Sequence, residues 1–378
     1  MQYNEFDMKI LKFIPIIKRK INGLPEYGAG NVEFYPTEEC NLNCSYCTYK
    51  NKERHTFPFK NIEESILKLT PNSITISGAG EPTCYSNEGH TVIDIVNLIK
   101  KILPYTKIGF ITNGQRTLEG DWVKNLEWLR VSIDAATETS FEKLKGGSLS
   151  KSLQTIITYL KNGCKYIGVG YVFNDYNISE IDSFTRMIYN LIVDNLGYSF
   201  LNNIFLEFRP TCKIESCDCP SPRYKNDKIM TTDLSNEWHT NLKNIKKNIF
   251  GSDNLSYIKF IKSRSNLDGS KLLLYYNQKL FFEKCFYCLA KVIIYPDGEC
   301  YPCVLKASAK QESLGNIITD TKELILQNQL LCHNKKKICN GYIDCCNVIS
   351  QKNSIVEEFI NQNKFIPDTS RIRWSDFI

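Results

Sequence analysis

Between residues 32 and 210, six apolar strand-like runs alternate with stretches of helical periodicity, and few architectures accept that order. The strand runs are VEFYPT (32–37), SITISG (73–78), KIGFITNG (107–114), WLRVSID (128–134), KYIGVGYVF (165–173) and NIFLEFRP (203–210). Helical spacing fills the gaps at 61–69, 91–102, 120–126, 150–162 and 179–195, as in Val92, Ile95, Val96 and Ile99. Strands separated by helices pair in parallel; six such units are too many for a small open sheet and too few for a closed eight-unit barrel. The pattern predicts an α/β fold, a partial (β/α)6 TIM-like barrel over 31–210, with an N-terminal extension over 1–30.

Beyond Pro210 the alternation stops. A Cys/Pro loop, TCKIESCDCPSP (211–222), leads into a polar helical stretch to about residue 264, which reads as a connector over 211–271. KVIIYPDGECYPC (291–303) predicts a hairpin turning on Asp297-Gly298, and eight cysteines lie between 285 and 346. A smaller, cysteine-rich α+β domain is therefore expected over 272–350. IVEEFINQN (355–363) predicts a helix, and an aromatic tail with Trp374 and Phe377 is expected to dock back on the body, within a terminal segment 351–378.

Composition narrows the function classes. With 42% hydrophobic residues in 378 the chain can bury a large core, and no apolar stretch of about 18 residues exists to span a bilayer. Asp7, Lys9 and Lys12 interrupt the N-terminal apolar residues, unlike a secretory signal, so a cytoplasmic protein without a membrane partner is expected. The net charge of +6 is dispersed, densest at Lys335, Lys336 and Lys337, and no basic block is interleaved with aromatics, so nucleic acid is not an expected partner. Sixteen cysteines are too sparse for a disulfide scaffold of this length, and the four histidines show no paired zinc-ligand spacing. Any metal site must be mostly thiolate, which favours iron–sulfur clusters or zinc.

CNLNCSYC places Cys40, Cys44 and Cys47 in a CxxxCxxC arrangement directly after the first strand run. Three thiolates on one loop can hold three irons of a [4Fe–4S] cube and leave the fourth open; the alternative is a zinc loop that borrows a fourth cysteine. The motif and its barrel context resemble the radical S-adenosylmethionine (SAM) superfamily over about residues 30–210. That resemblance implies that SAM chelates the open iron and is cleaved by one electron to methionine and a 5′-deoxyadenosyl radical. It also implies cofactor-binding roles one residue at a time. SGAGEP resembles the family's GGEP element, with Gly78, Ala79, Gly80 and Glu81 expected to meet the methionine amino group, and Ala79 replacing a glycine. Asn113 in ITNG, and Ser132 and Asp134 in VSID, resemble positions near the ribose and carboxylate, or else cap strand ends. Tyr46 occupies the aromatic position near adenine, and Val172 and Asn174 are further adenine neighbours.

Cys288, Gly298 and Cys303 resemble the opening of SPASM and twitch domains, which bind auxiliary iron–sulfur clusters, and LGNI (314–317) is typical of that region. Cys285, Cys300, Cys332, Cys339, Cys345 and Cys346 complete the candidate ligands for one or two such clusters. Cys332, Cys339 and the adjacent Cys345 and Cys346 depart from the usual SPASM spacing. A zinc ribbon from Cys285, Cys288, Cys300 and Cys303 is the alternative. Cys212, Cys217 and Cys219 stay unassigned, and Cys84 and Cys164 read as buried apolar thiols.

The resemblance implies a radical SAM oxidoreductase or maturase, with oxidative modification of a peptide or protein as the leading activity. Dehydrogenation or epimerisation of a small polar metabolite, such as a sugar, aminocyclitol or nucleoside, is the alternative. An electron donor such as flavodoxin or ferredoxin is implied as a partner. Glu207 and Arg209 are expected to point toward the barrel mouth, where they bind a charged or hydroxylated substrate or pair in a salt bridge. No general acid or base is identified.

Overall fold

The computed structural model describes residues 9–24, 28–47, 49, 53–210, 232–267, 284–334, 347–362 and 377. In chain order the strands are β1 (Asn31–Phe34), β2 (Ser73–Ile76), a short hairpin of β3 (Ser86–Asn87) and β4 (His90–Thr91), β5 (Lys107–Thr112), β6 (Trp128–Ser132), β7 (Ile167–Phe173), β8 (Ile204–Pro210), β9 (Lys291–Ile294), β10 (Glu299–Tyr301) and β11 (Gly315–Asn316). Nine of them form one sheet, ordered β11-β10-β9-β1-β2-β5-β6-β7-β8. From β1 through β8 every ladder of this sheet is parallel, and among the described residues β8 and β11 are its outermost strands, as a partial barrel has them.

Both faces of these strands are covered, but they differ in chemistry. Val32, Phe34, Ile74, Ile76, Ile108, Phe110, Leu129 and Val131 are fully buried in the main core. The alternate positions, including Asn31, Glu33, Thr75, Arg130, Ser132, Glu207 and Arg209, carry polar groups and share the opposite, inner face. The helices Ile62–Leu69, Val92–Ile102, Leu149–Lys161 and Ile181–Leu196 lie where the 3.6-residue spacing placed them. The start of Val92–Ile102 is fixed by Asp94, whose carboxylate accepts from the backbone N–H of the N-cap Thr91 at 2.7 Å.

Two local expectations fail. Residues 120–126 give only the 3-10 turn Asp121–Asn125, because Gly120 enters it at φ 99° and Leu126 leaves in extended conformation, which leaves no room for an α-helix. The helix Glu138–Lys145 was not foreseen; it begins at the N-cap Thr137, which accepts from Ser140 N at 3.1 Å, and stops at Gly146 with φ 75°.

The C-terminal hairpin does not stand apart from the barrel. β9 pairs in parallel with β1, Asn31 opposite Lys291 and Phe34 opposite Ile294, and β10 returns antiparallel after a turn in which Gly298 takes φ 89°. At the other end of β1 the N-terminal turn Lys9–Phe13 and helix Ile14–Ile21 pack in the core; a Cβ on Gly30 would lie 2.3 Å from the Phe13 ring. The connector forms the helices Thr232–Phe250 and Leu255–Arg264. The last helix is Asn347–Asn361, which starts earlier than the sequence pattern suggests. Phe377 does dock, edge-on to Trp128 with centroids 5.3 Å apart. Residues 211–222 and Trp374 lie outside the described residues. Among the described residues no helix is long and apolar enough to cross a membrane.

Candidate functional site

The loop carrying Cys40, Cys44 and Cys47 leaves the C-terminal end of β1, and three neighbouring strand ends fasten it. Asn113, after β5, donates from Nδ2 to Asn41 Oδ1 at 2.8 Å. Glu81, after β2, donates its backbone N–H to Glu39 O at 2.7 Å. Tyr46 donates its hydroxyl to Asp134 Oδ2, after β6, at 2.5 Å. The C-terminus of Glu138–Lys145 supplies a fourth anchor: Asn43 N donates to Lys145 O at 3.1 Å and Ser45 N to Leu144 O at 2.7 Å. The unforeseen helix thus uses its otherwise unpaired carbonyls to hold the cysteine loop.

All three cysteines are outside any disulfide and partly exposed. Burial pushes Cys44 up to about 11, while the nearby Lys145 ammonium works in the opposite sense. Tyr49 N points at Cys47 Sγ at 3.4 Å. Thiols on one loop, a close cation and a backbone donor suit a set of metal-bound thiolates, which must be deprotonated to ligate. Among the described residues no three Cys, His, Asp or Glu side chains are grouped so as to hold a single metal ion.

The Gly78, Ala79 and Gly80 turn passes close under this loop. A Cβ on Gly80 would lie 2.2 Å from Glu39 O, and one on Gly78 2.8 Å from Gly80 O, so the backbone is held where only glycine fits. Glu81 faces inward. Its carboxylate accepts from Thr112 Oγ1 (2.6 Å), Asn113 N (2.7 Å), Thr83 Oγ1 (2.8 Å) and Thr83 N (3.2 Å). Burial raises its pKa against the pull of these bonds. In this geometry Glu81 locks the β2 and β5 loops together, and the backbone of the turn is what remains to meet a ligand.

Asp134 is occupied in a similar way. It sits at φ 64° and is almost fully buried; Oδ2 accepts from Lys145 Nζ at 2.8 Å as well as from Tyr46, and Oδ1 from Val172 N at 2.6 Å. Burial alone would raise its pKa, but the Lys145 charge and these hydrogen bonds hold it below the usual carboxylate value. Asn177 closes the group by donating to Asp134 O and Val172 O at 2.8 and 2.9 Å. Ser132 is different: its side chain is half-buried on the inner face, with no hydrogen-bond partner among the described residues. Val172 is half-buried on the same face, and Asn174 forms a turn with Asn177 at 2.7 Å. Lys145, Asn41, Thr112 and Asn177 were missed by sequence reasoning; of these only Lys145 had a signal, the glycine pair after it that ends a helix.

The salt-bridge reading of Glu207 holds. Arg130 on β6 lies across β7, where Cβ atoms on Gly168 and Gly170 would come within 3.4 and 3.5 Å of its side chain, and donates to Glu207 Oε2 at 3.0 Å. Arg209 Nε stands 3.8 Å from the other oxygen. Burial works against the charged form, yet Arg209, Arg130 and Lys9 together hold Glu207 down to about 2. On β1, Glu33 pairs with Lys291 at 2.5 Å and accepts from Tyr35 Oη at 3.1 Å. Buried Glu38 ties the cysteine loop to the C-terminal hairpin through Tyr295 Oη at 3.0 Å and Lys310 Nζ at 3.6 Å.

The described C-terminal cysteines fall into two places. Cys285, Cys288 and Cys332 lie near one another: Cys288 Sγ donates to Cys285 O at 3.0 Å, burial and the neighbouring Cys285 and Cys332 thiols push its pKa up, and Asn353 Nδ2 points at Cys285 Sγ at 3.8 Å. Buried Lys20 braces them, donating to Leu289 O and Gln329 Oε1, each at 2.8 Å, while Gln329 Nε2 donates to Cys288 O at 2.8 Å. Cys300 lies on β10 opposite Ile294, at the far end of β9 from Cys288, and Cys303 opens the next helix, Val304–Ala309. The structure therefore does not assemble the zinc ribbon. Cys84, expected to be buried, is half-exposed and close to Cys40, whereas Cys164 is buried. Cys212, Cys217, Cys219, Cys339, Cys345 and Cys346 lie outside the described residues.

Residues 34–188 match the model of the Radical SAM superfamily, whose members use a [4Fe–4S] cluster and SAM. In sequence the chain is 30% identical over 172 residues to a GTP 3′,8-cyclase of Clostridium perfringens, covering 42% of this chain and 51% of that one. The chain thus spans about half the length of the curated relatives it matches. In structure it is similar to Streptococcus suis SuiB bound to S-adenosylmethionine (TM-score 0.57, 15% identity, 94% of this chain and 80% of that chain). It is also similar to anSMEcpe with bound AdoMet and the Cp18Cys peptide (TM-score 0.55, 17% identity, 88% and 97%). At these identities the structural likeness shows the fold, which extends across the barrel and the C-terminal region.

Proposed function

We propose that this chain is a radical SAM enzyme that oxidatively modifies a peptide or protein. The observation that carries the radical reading is the cysteine loop anchored to the ends of β2, β5 and β6 and to the C-terminus of Glu138–Lys145. Cys40, Cys44 and Cys47 would hold the cluster, and the close-packed turn at Gly78, Ala79 and Gly80 would present its backbone to SAM beside it. When bound, the cluster supplies the electron that cleaves SAM to a 5′-deoxyadenosyl radical, which takes a hydrogen atom from the substrate.

The residues of the chain position and shield. Asp134 and Lys145 keep Tyr46 and the loop backbone fixed, Glu81 sets the spacing between the β2 and β5 loops, and Ser132 and Val172 line the inner face nearby. A reactive radical demands such a preorganised, water-poor site. Cys285, Cys288 and Cys332, with Cys300, Cys303 and the cysteines beyond residue 334, are the pool for one or two auxiliary clusters in a SPASM-like unit over 272–350, and a flavodoxin or ferredoxin would be the electron donor.

The peptide reading draws support from the similarity to SuiB, which has been seen bound to its precursor peptide SuiA, and to anSMEcpe with its peptide. A small polar metabolite such as a nucleoside is the second reading, supported by the GTP 3′,8-cyclase relative and by the charged inner face around Glu207. Anaerobic reconstitution tests the common step. The wild type should bind more than one cluster and, with dithionite and SAM, yield 5′-deoxyadenosine. The Cys40→Ala/Cys44→Ala/Cys47→Ala variant should lose that product while iron remains in the C-terminal region. Full turnover by the triple variant would overturn the assignment.

A further inference from the structure

We propose that Lys20, delivered by the N-terminal helix Ile14–Ile21, is the counter-charge of an auxiliary iron–sulfur cluster at Cys285, Cys288 and Cys332, and that it raises the reduction potential of that cluster. The inference deepens the radical SAM reading and rests on its auxiliary-cluster part. Lys20 is 1% exposed, whereas Arg19 beside it faces solvent. A buried ammonium is costly, and a methionine would fill much the same space without that cost. The lysine therefore points to an anion close by.

Its contacts lead to the cysteines from two sides. Nζ donates to Leu289 O, one residue past Cys288, and to Gln329 Oε1, each at 2.8 Å. Gln329 lies three residues before Cys332 on the helix Lys322–Asn334, and its Nε2 donates to Cys288 O at 2.8 Å. One ammonium thus ties the Cys285–Cys288 segment to the helix that carries Cys332. These two acceptors are neutral. Burial works against the charged amine, while the charge of Cys288 works for it. The surroundings fit a thiolate-ligated cluster: Cys288 is fully buried, Cys332 nearly so, and Asn353 Nδ2 from the last helix points at Cys285 Sγ at 3.8 Å. Metal-bound cysteines are deprotonated, and the potential of a cluster follows its net charge, the hydrogen bonds to its sulfurs and its exposure. A cation held in the dry layer behind the ligands favours the added electron, so Lys20 makes the cluster the better electron acceptor, and the brace through Gln329 holds the ligand-bearing segments in place.

A hydrogen-bonded brace that only packs the N-terminal helix would leave the potential alone, and the charge would not. The test uses the full-length Cys40→Ala/Cys44→Ala/Cys47→Ala chain, reconstituted anaerobically with iron and sulfide, so that C-terminal iron alone is read. Iron is counted, and the cluster signal is followed by electron paramagnetic resonance through a redox titration. Adding Lys20→Met should disfavour the reduced form roughly tenfold or more, a midpoint lower by about 59 mV for each tenfold in a one-electron couple. Gln329→Met breaks the brace and keeps the charge: it should release iron to a chelator faster, yet shift the same equilibrium by less than about threefold. If Lys20→Met does not fold or does not hold iron, Lys20→Gln keeps the test, because it retains an N–H donor without the charge and should show the same fall. An unmoved midpoint in the variant that lacks the charge, or an equal fall in Gln329→Met, overturns the proposal, since Lys20 would then act by packing. Absence of iron from the triple-alanine parent overturns the auxiliary-cluster reading and the proposal with it, whereas iron with an unmoved midpoint overturns the proposal alone.

Discussion

Replacing Lys145 by methionine removes one charge from a pair in which both side chains are only 3% exposed, while the apolar stem keeps most of its volume. Asp134 then keeps the Tyr46 hydroxyl and the Val172 N–H but loses its counter-ion. Breaking a buried pair in this way costs about 3–5 kcal/mol, because an uncompensated charge is left behind. The cost falls on the cysteine loop, since Asn43 and Ser45 are held by the carbonyls of Lys145 and Leu144. Amide exchange of a peptide covering residues 40–47, in anaerobic iron-free protein, should lose protection by roughly two to three and a half orders of magnitude, up to the protection it has. Adding Asp134→Asn removes the orphaned charge, and the double variant should lie within about 1.5 kcal/mol of the wild type.

The pH dependence gives an independent sign. In the wild type Asp134 has a depressed pKa, so its contribution is fully present above the unfolded carboxyl value of about 3.9 and is lost only as pH falls through the lower folded value. Protection should therefore be flat from neutral pH down to about 5. In Lys145→Met the carboxyl is buried without its cation, so protonation relieves it and the deficit should narrow on acidification. A single variant that costs under about 1 kcal/mol, or a double variant no better than Lys145→Met, would refute the idea that this pair holds the loop.

Gly80→Ala places a Cβ 2.2 Å from Glu39 O, next to the first cysteine. It should destabilise the protein by about 1–3 kcal/mol and lower the chelator-resistant iron bound per chain; unchanged iron would mean that the turn yields easily. The Glu207 carboxyl, held down to about 2 by Arg209, Arg130 and Lys9 against the effect of burial, contributes stability that is intact above its ordinary value and fades as pH falls toward 2. The contribution is about 3 kcal/mol, and acid unfolding of Glu207→Gln should be correspondingly less steep below pH 4.5 than that of the wild type; equal steepness would refute it.

The barrel was legible because its strands are apolar runs bounded by turns, and the cysteine triad because three thiols on one loop are rare and local. What escaped was set by contacts between distant segments. VEFYPT reads as a strand to residue 37, yet the sheet pairing of β1 ends at Phe34, since the chain must leave there to carry the cysteines. Glu138–Lys145 buries only Phe141, Leu144 and Lys145, too short a stripe to stand out, although its last carbonyls hold the loop. The spacing of Cys285, Cys288, Cys300 and Cys303 mimics a ribbon because counting residues ignores direction: β9 carries the chain away from Cys288 before β10 turns back, and the turn comes too late to bring Cys300 alongside. The pairing of β9 with β1 has no local signature, and it brings the C-terminal hairpin within reach of Glu38 in the cysteine loop. A substitution that weakens that pairing should therefore be felt at the cysteine loop, although no residue of the hairpin belongs to the CxxxCxxC motif.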